Sequence, residues 1–387
     1  MLRKSLCAVG GALLLVGCST TVPGSPEADP SGVPRPDTGS YATAPRQVAP
    51  MTEKSQVAAE GFRMMEIIPL ATEVDGALRY GRSPKVGQML DVSKSLYGEG
   101  VGTALAGHEV AATTSAWDKV PGSDASTSGT NLLMGLFRFK DEAAARSAVA
   151  APSVLAEDKG SSGSTPTPKA PVAVPGYPGA KAYTKSYADT KATVALLVSG
   201  RFVLSAYTTG PVDHIKKFFD LQLPALKAFA PTPVDKFSTL TRDHDGLLQY
   251  TLAEERPTIY QATFTARAIL NAQTDIAGAA KDFADAGVDY VANAGNTVSR
   301  ARDAAGAALL AERSIAGTKA LRAGTEAEVR GVPGGRCLTY PTYKGSKDSR
   351  TYCVAPVGRY LAEVTDSQEG RAKQAIGASY LILQQAK

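Results

Sequence analysis

Apolar and polar side chains alternate along the chain with two different periods, a strand-like repeat of two and a helix-like repeat of about 3.6. Apolar residues at every second position on either side of Ser199 and Gly200 predict a hairpin over residues 194–207 with one buried face. Large apolar side chains then follow at helical spacing, at Ile215, Phe218, Phe219, Leu223 and Leu226. This part of the chain is therefore expected to form a sheet covered by an amphipathic helix.

The elements that precede this hairpin also show a clear order. Residues 132–139 read as a strand, and an Ala-rich helix begins at Asp141 and Glu142. A Pro- and Gly-rich break follows and ends in the Val-Pro-Gly sequence of residues 174–176, which comes before the hairpin.

The same order occurs a second time further along the chain. A strand at residues 298–302 leads into a helix that opens at Asp303. Val-Pro-Gly recurs at residues 332–334, and Gly-Arg-Tyr at residues 358–360 repeats Gly-Arg-Phe of the first hairpin, both at an offset of 158 positions. Chance similarity of short patterns is the alternative, and a constant offset at two separate landmarks argues against it.

Shorter matches extend the two copies in both directions. Near the head of each copy, Val110 and Ala111 parallel Val291 and Ala292. The second copy closes with a helix whose small and apolar side chains lie at helical spacing, at Ala372, Ala375, Ile376, Ser379, Tyr380 and Leu383.

The predicted fold class is α+β, with two tandem related domains that each consist of a small antiparallel sheet with helices packed on one face. The expected boundaries are 51–232 for the first domain, 233–260 for the connection and 261–387 for the second domain. A length of 387 residues agrees with two domains.

The N-terminus has the pattern of an export signal. Arg3 and Lys4 precede an apolar run at residues 6–16, which is too short to span a membrane as a helix and has the length of a signal-peptide core. Leu15, Val16, Gly17 and Cys18 resemble the lipobox of bacterial lipoproteins. That resemblance implies a signal peptide at residues 1–17, cleavage before Cys18, and lipid, including palmitate, on the Cys18 sulfur and new N-terminus. A plain secretory signal is the alternative.

The segment that follows predicts a spacer. Residues 18–50 are dominated by Pro, Ser, Thr, Gly and Ala, with hardly any large apolar side chain. We therefore expect a lipidated N-terminus and a disordered tether that hold the folded part at the outer face of the cell membrane.

Composition excludes some partners. Hydrophobic residues make up 43% and charged residues 20% of the chain, as in ordinary globular proteins. The net charge of +5 falls to about +3 without Arg3 and Lys4, and basic residues alternate with acidic ones. Nucleic acid is therefore not expected as a partner.

Two cysteines remain in the predicted folded region, Cys337 and Cys353, each on a predicted strand of the second copy. A disulfide is expected in an exported protein, and closing a loop of about 17 residues stabilises by roughly 3 kcal/mol in the chain-entropy model. The matching positions of the first copy by constant offset are Gly179 and Ala195. Metal binding is the alternative, but two thiols without clustered histidines make a poor zinc site.

No recognisable catalytic or metal motif includes His108, His214 or His244. His214 follows Asp213 at a helix start and is interpreted as part of a solvated first turn. Residues 243–246 read as a turn, with a metal loop as the alternative, because the further carboxylates of a calcium loop are missing. No catalytic residue, metal site or cofactor is therefore predicted, and the protein is not expected to be an enzyme.

Trp117, the single tryptophan, precedes a Ser- and Gly-rich stretch at residues 122–129. A loop aromatic of this kind contacts a ligand or partner in some proteins and caps the domain core in others, and the core interpretation is favoured.

Taken together, the lipobox, the tether, the two repeated landmarks, Cys337 and Cys353 resemble the two-domain lipoproteins of mycolate-producing actinobacteria, a family of mycobacterial and nocardial type catalogued as a domain of unknown function. The segment at residues 230–252 resembles the connection between that family's domains. The resemblance implies an extracytoplasmic cell-envelope location and supplies no catalytic residues.

Three functions remain as hypotheses. The preferred one is a non-enzymatic module that binds a small-molecule ligand or an envelope protein, with a cleft between the two copies as the expected site. The second is a solute-binding lipoprotein of a transporter, although such receptors are built from parallel βαβ units. The third is an envelope hydrolase, which requires a pair of catalytic groups in a cleft.

Overall fold

In a computed structural model, the described residues are 32, 34–88, 90–120, 129–158, 168–187, 190–254, 256, 258–343 and 345–386. The strands are β1 (Tyr80–Gly87), β2 (Val110–Trp117), β3 (Asn131–Arg138), β4 (Ala170–Pro171), β5 (Lys181–Tyr187), β6 (Thr190–Ser199), β7 (Phe202–Thr208), β8 (Ala262–Thr265), β9 (Tyr290–Asn293), β10 (Thr297–Arg300), β11 (Thr325–Glu328), β12 (Arg336–Pro341), β13 (Ser349–Val357) and β14 (Tyr360–Asp366). Every pairing between neighbouring strands is antiparallel.

Helices connect and flank these strands. They are α1 (Glu53–Glu66), α2 (Ala71–Val74), α3 (Leu90–Tyr97), α4 (Glu99–Ala104), α5 (Glu142–Ala150), α6 (Asp213–Ala228), α7 (Ala266–Leu270), α8 (Ile276–Ala286), α9 (Ala304–Leu321) and α10 (Glu369–Leu383). Short 3-10 turns occur at Leu105–Gly107, Pro152–Val154, Val234–Thr239 and Leu247–Tyr250. Within the described part of the chain, no helix is both long and apolar enough to cross a bilayer.

The strands form two seven-stranded sheets with the same order of elements. The first sheet runs β1-β2-β3-β7-β6-β5-β4, and the second runs β8-β9-β10-β14-β13-β12-β11. The helix after the third strand of each sheet is capped in the same way, because the Asp141 side chain accepts from the Ala144 amide at 2.7 Å and that of Asp303 accepts from the Gly306 amide at 2.8 Å. The predicted α+β fold and internal duplication are confirmed.

The repeated Gly-Arg sequence has the same structural role in both sheets. Gly200 and Gly358 have φ of 55° and 53° in the two-residue hairpin turns, a left-handed conformation that favours glycine. The arginine that follows reaches back to the end of the third strand: Arg201 Nε donates to the Phe139 carbonyl at 2.8 Å, and Arg359 Nε donates to that of Ala301 at 2.9 Å. The landmark therefore marks a turn that is fastened to the neighbouring strand.

Helices cover both faces of each sheet, whereas the sequence pattern predicts helices on one face only. In the first sheet, α1 and α6 pack on one face, and α3, α4 and α5 pack on the other. In the second sheet, α8 and α9 cover one face and α10 the other. The central strands have apolar side chains at consecutive positions as well as alternate ones, for example Leu136 and Phe137, so both of their faces need cover.

Strand pairing also corrects two details of the predicted repeat. Cys337 lies opposite Cys353, and Ala182 lies opposite Ala195, so Ala182 rather than Gly179 is the structural counterpart of Cys337. The first copy has three more residues before β5 and three fewer in the turn after it, and these changes cancel at the next landmark.

The match near the head of each copy is shifted by one residue. Val110 pairs with Arg138, and Tyr290 pairs with Arg300. Arg138 and Arg300 are equivalent because they pair with Phe202 and Tyr360 of the repeated landmark, so Val110 corresponds to Tyr290 rather than to Val291. A shift of one residue reverses the face of every side chain in a strand.

Part of the predicted tether lies against the second domain. The Asp37 carboxylate accepts from Gln374 Nε2 at 3.0 Å, the Arg46 amide donates to the Gln249 carbonyl at 2.9 Å, and Tyr41 and Val48 pack against the apolar core beside α10. The prediction of a disordered tether therefore does not hold for residues 37–48. A segment without a core of its own gains its order from hydrogen bonds and apolar contacts to a neighbouring domain.

The two sheets belong to one compact unit, residues 35–387, and described side chains of both domains pack against each other where a cleft was expected. The ring of Phe62 on α1 meets that of Phe264 on β8 edge-on at 4.7 Å between ring centres. The Ile276 amide of the second domain donates to the Arg79 carbonyl of the first at 2.8 Å, and the two domains share one apolar cluster.

Candidate functional site

A cavity of about 500 Å³ lies on the α3 face of the first sheet, and we call it the first-sheet pocket. Its floor crosses four neighbouring strands in register, because Arg82 pairs with Ser115, Ser115 with Leu133, and Leu133 with Tyr207. The volume lies within the range of roughly 300 to 1,000 Å³ that is usual for small-molecule sites. The lining residues are Arg82, Ser83, Lys85, Ser95, Leu96, Thr113, Ser115, Trp117, Asn131, Leu132, Leu133 and Tyr207.

A β-bulge brings two cations to this pocket. In a regular strand, side chains three positions apart point to opposite faces. Between Arg82 and Lys85 the register of β1 shifts, so that these residues pair with Ser115 and Thr113, which are only two positions apart. Both exposed basic side chains therefore lie on the pocket side of the sheet. Pro84 lies within the bulge of this edge strand, a position that tolerates the missing amide hydrogen.

Trp117, at the end of β2, forms an aromatic wall of the pocket. It is partly buried, and the Arg82 guanidinium carbon lies 4.2 Å from the centre of its ring, which is cation–π geometry. Trp117 thus lies on a strand rather than in the predicted loop, and it lines the pocket instead of capping the core; contact with a ligand stays a prediction. Residues 122–128 of the Ser- and Gly-rich stretch that follows it lie outside the described residues.

Close packing beneath the pocket depends on Gly135. A Cβ at this position would lie 2.7 Å from Ser205 Oγ and 2.9 Å from the hydroxyl of Tyr97. Ser205 Oγ donates to the Tyr97 hydroxyl at 2.8 Å, and burial raises the pKa of this tyrosine well above its usual value. The floor of the pocket is therefore a tightly packed layer rather than a deformable one.

A second cavity occupies the equivalent place in the second sheet, and we call it the second-sheet pocket. Here Thr297 pairs with both Asn293 and Glu363, as Gly135 pairs with Thr113 and Ser205 in the first sheet. The Tyr352 hydroxyl hydrogen-bonds the Glu363 carboxylate, and burial raises the pKa of Glu363 above its usual value. Its cavity of about 320 Å³ is lined by Gln273, Asn293, Ala294, Gly295, Asn296, Thr297, Tyr352, Glu363 and Thr365.

Comparison with known proteins identifies the chain. Residues 48–242 match the family described as Domain of unknown function (DUF7373) N-terminal, and residues 246–386 match Domain of unknown function (DUF7373) C-terminal. The chain belongs to the DUF7373 family. The predicted membership of a two-domain family of unknown function is thereby confirmed.

Other comparisons add little to the DUF7373 assignment. No curated protein matches the chain. Among solved structures it is similar to the extracellular domain of PknH from Mycobacterium tuberculosis, with 14% identity, a TM-score of 0.29, and coverage of 46% of this chain and 98% of that chain.

The predicted cysteine pair of the DUF7373 C-terminal domain is present as a disulfide between Cys337 and Cys353, with the two Cα atoms 4.0 Å apart on neighbouring strands. Cys18, the predicted lipidation site, lies outside the described residues. Within the part of the chain that the structure describes, no three His, Cys, Asp or Glu side chains lie close enough to hold a metal ion.

The three histidines of this DUF7373 chain have structural contacts. His214 Nε2 lies 3.0 Å from Asp75 Oδ2, which ties α6 to the turn after α2 and replaces the predicted solvated first turn. His108 is buried, and this burial lowers its pKa, while its Nδ1 lies 2.6 Å from the Leu105 carbonyl oxygen. His244 stacks on Tyr290, with 5.0 Å between ring centres.

Residues 243–246 form a turn in the connection between the DUF7373 domains. Asp243 Oδ1 accepts from the Leu248 amide at 2.8 Å, and Asp245 has a positive φ of 55° and forms an ion pair with Arg300 at 2.9 Å. The predicted turn is thus present, and its carboxylates bind protein groups.

Sequence reasoning missed Arg82, Lys85 and Tyr207 as lining residues. One signal was available, a proline between two basic residues in a strand-like segment, which is typical of a bulge in an edge strand. The position of that bulge relative to Trp117 follows only from strand pairing.

Proposed function

We propose that this protein is a membrane-anchored, extracytoplasmic binding module of the cell envelope and that its ligand occupies the first-sheet pocket. One observation carries the proposal. The described pocket lining combines aromatic and aliphatic walls with hydroxyls and two cations, the composition of a site that orients a small molecule. Histidine, cysteine and carboxylate side chains are not among those lining residues, so they supply no paired acid and base.

Anchorage by lipid on Cys18 is the second part of the proposal, and the lipobox supports it. Because contacts to the second domain begin near Asp37, the chain between the lipid and the folded unit is shorter than the predicted tether. About 18 residues span at most roughly 65 Å when fully extended, which limits the distance between the lipid and Asp37. Dual acylation is sufficient for stable anchoring.

The disulfide supports an extracytoplasmic location. Disulfides persist in oxidising compartments and are rare in the cytosol of most organisms. The bond between Cys337 and Cys353 is buried within the second sheet, where it crosslinks two neighbouring strands.

The ligand part can be tested on the full-length protein isolated from native envelope in a mild detergent. Mass spectrometry is expected to find one small molecule at a fixed ratio to the protein. Ser115→Phe places a large side chain on the pocket floor and should abolish its retention. Ser349→Phe, at an exposed strand position of the second domain, is the matched control and should retain the molecule. Equal retention by both variants would show that the ligand binds elsewhere.

Anchorage has its own test. Cys18→Ala is expected to stop processing and to move the protein from the detergent phase to the aqueous phase in phase separation. An unchanged distribution would rule out the lipid anchor while leaving the pocket result intact.

One observation favours the hydrolase alternative. Burial raises the pKa of Glu363, the direction that favours a general acid, and Glu363 lines the second-sheet pocket. Glycoside hydrolysis also needs a second carboxylate, and the described lining residues of this pocket include none besides Glu363. Hydrolysis of envelope polysaccharide that is lost in Glu363→Gln would support this alternative over the binding module. The two sheets of the described chain are wholly antiparallel, whereas the receptors of transporters are built from parallel βαβ units, so the sheets do not support the transporter-receptor alternative.

A further inference from the structure

The charge of the first-sheet pocket is wholly positive among its described lining residues. Arg82 and Lys85 project from the bulged edge strand, and neither forms an ion pair with a described residue. Both side chains are exposed, so they remain hydrated and available without the cost of breaking an existing pair. A negatively charged group between them would be attracted by both.

Five of the other ten described lining residues are apolar or aromatic, namely Leu96, Trp117, Leu132, Leu133 and Tyr207. Leu133 and Tyr207 continue the row of the floor that begins at Arg82, and Leu96 of α3 lies on the helix side. The indole of Trp117 lies against the Arg82 guanidinium, which restricts the orientation of that cation while its outer N–H groups stay accessible. The two cations thus suit a charged group, and the surface formed by Leu96, Leu133, Tyr207 and Trp117 suits an apolar body.

The cationic and aromatic lining is specific to the first copy, because the second copy has the same fold but different residues at the equivalent positions. The structural counterpart of Lys85 in the second sheet is Ala262, because Lys85 pairs with Thr113 and Ala262 pairs with Asn293. The counterpart of Ser205 is Glu363. The same place on the duplicated sheet is therefore cationic and aromatic in one domain and acidic in the other.

We infer that the first-sheet pocket binds a small organic anion, a carboxylate or phosphate carried on an apolar body. The anionic group lies between Arg82 and Lys85, where the guanidinium donates to its oxygens, and the apolar body lies over Leu133, Tyr207 and Trp117. This inference rests on the proposed function, since it names the ligand class of the same pocket.

Trp117 makes the test direct, because it is the only tryptophan of the chain and lines the pocket. The probe is 8-anilinonaphthalene-1-sulfonate, an aromatic organic anion that accepts energy from tryptophan. Titration into the native full-length protein should quench Trp117 emission in step with a rise in probe emission, with saturation at one probe per chain. The uncharged N-phenyl-1-naphthylamine reports the apolar contribution alone.

Charge removal separates a specific site from general surface binding. The double variant R82Q/K85Q should weaken binding of the anionic probe at least tenfold and change binding of the uncharged probe less than twofold. K347Q/R350Q removes the same charge from exposed positions of the second domain and should bind as the native protein does. Arg82→Gln also changes the surroundings of the indole and so can alter Trp117 emission directly. Lys85→Gln alone avoids this: it should weaken binding of the anionic probe several-fold while the emission of the probe-free protein stays as in the native protein.

Competition identifies the anionic group. Dodecanoate or dodecyl phosphate should displace the probe, and whichever binds more tightly assigns the head group as carboxylate or phosphate. Dodecanol and inorganic phosphate should each compete at least tenfold more weakly, because each lacks one half of the ligand.

Equal binding of the anionic probe by the native protein and by R82Q/K85Q would overturn the inference. It would also be overturned if inorganic phosphate displaced the probe as effectively as dodecyl phosphate does. These outcomes differ from failure of the proposed function. A neutral molecule retained from native envelope and lost in Ser115→Phe would preserve the binding module and refute only the anionic ligand.

Discussion

Arg300 occupies in the second sheet the position that Arg138 occupies in the first. Arg138 is the strand partner of Phe202, and Arg300 is that of Tyr360, the aromatic residues that complete the two Gly-Arg-aromatic sequences. Each arginine also pairs with a carboxylate at the neighbouring strand, since Arg138 Nε lies 3.3 Å from Glu109 Oε2 and Arg300 Nε lies 2.8 Å from Asp289 Oδ1. The duplication thus extends to an ion pair that no sequence landmark contains.

The two arginines differ in burial, and this predicts different effects of mutation. Arg138 and its second partner Glu60 have fully buried side chains 3.0 Å apart, whereas the second partner of Arg300, Asp245, is largely exposed. Arg138→Met leaves Glu60 buried with one cation fewer and should lower the free energy of unfolding by about 3 to 5 kcal/mol. Arg300→Met should cost about 1 kcal/mol.

Urea unfolding of both variants and the native protein measures this difference. Comparable losses for the two arginines would contradict the assignment of the first cluster as a buried one.

The carboxylate of Asp158 should stabilise the first domain at neutral pH, and this stabilisation should be lost in acid. Its carboxylate lies 2.9 Å from Lys169 Nζ and 3.3 Å from Lys185 Nζ, both on buried side chains. Burial alone would raise the pKa of Asp158, but the hydrogen bond from Lys169 and the charges of both lysines outweigh it and hold the pKa below 3.8. Because the pKa is lower in the folded than in the unfolded state, the stabilisation is present above about pH 4 and is lost as pH falls further.

Asp158→Asn is therefore expected to lower the free energy of unfolding by about 3 kcal/mol at neutral pH, because two buried ammonium groups lose their counter-charge. The gap between variant and native protein should narrow in unfolding curves recorded below about pH 4. A gap that is independent of pH would show that the carboxylate contributes packing rather than charge.

Glu363 should have the opposite pH dependence. Burial raises its pKa, so folding favours the protonated form, and ionisation of this group above its unfolded pKa of about 4.5 destabilises the native state. Glu363→Gln retains an oxygen that accepts from the Tyr352 hydroxyl and removes the buried charge. The variant should be more stable than the native protein at neutral pH and indistinguishable from it below about pH 4.

Thermal unfolding from acidic to neutral pH tests this sign. Destabilisation by Glu363→Gln at neutral pH would mean that the ionised carboxylate is itself needed in the second-sheet pocket.

The disulfide should contribute to the second domain alone. Reduction, or the double variant C337S/C353S, is expected to lower its free energy of unfolding by roughly 3 kcal/mol. Hydrogen exchange of backbone amides resolves the location, with loss of protection expected in β12 and β13 rather than in the first sheet. Protection lost equally in both sheets would show that the domains unfold as one unit.

The first sheet offers the reciprocal experiment. Ala182 and Ala195 are buried strand partners at the position of the disulfide. A182C/A195C should therefore oxidise to a second disulfide. When unfolded without a reductant, the variant should then have the same number of titratable thiols as the native protein. Two free thiols would show that the two sheets differ in local geometry at this position.

Much of the fold was predictable because its signals are local. These signals act over a few residues: they are alternating apolar residues, glycines in the hairpin turns, and the helix caps Asp141 and Asp303. Because the unit is repeated, each signal occurs twice in the chain. The pairing of Cys337 with Cys353 followed from the strands that carry them.

The candidate site was not predictable in this way. Arg82 and Lys85 share one face only because a bulge resets the alternation, and Tyr207 joins them across two intervening strands. Likewise, residues 37–48 lack any apolar pattern and are ordered by contacts with α10 and the Leu247–Tyr250 turn, more than 200 positions away.

The sequence by itself determined two copies of an α+β unit, the turns that end their hairpins and the cysteine pair, because each depends on spacing within a short segment. Only the tertiary structure decided which faces the helices cover, which side chains pack between the domains, and that cations and a tryptophan meet in one pocket. These features arise from strand register and long-range packing, where a shift of one residue moves a side chain to the other face of the sheet.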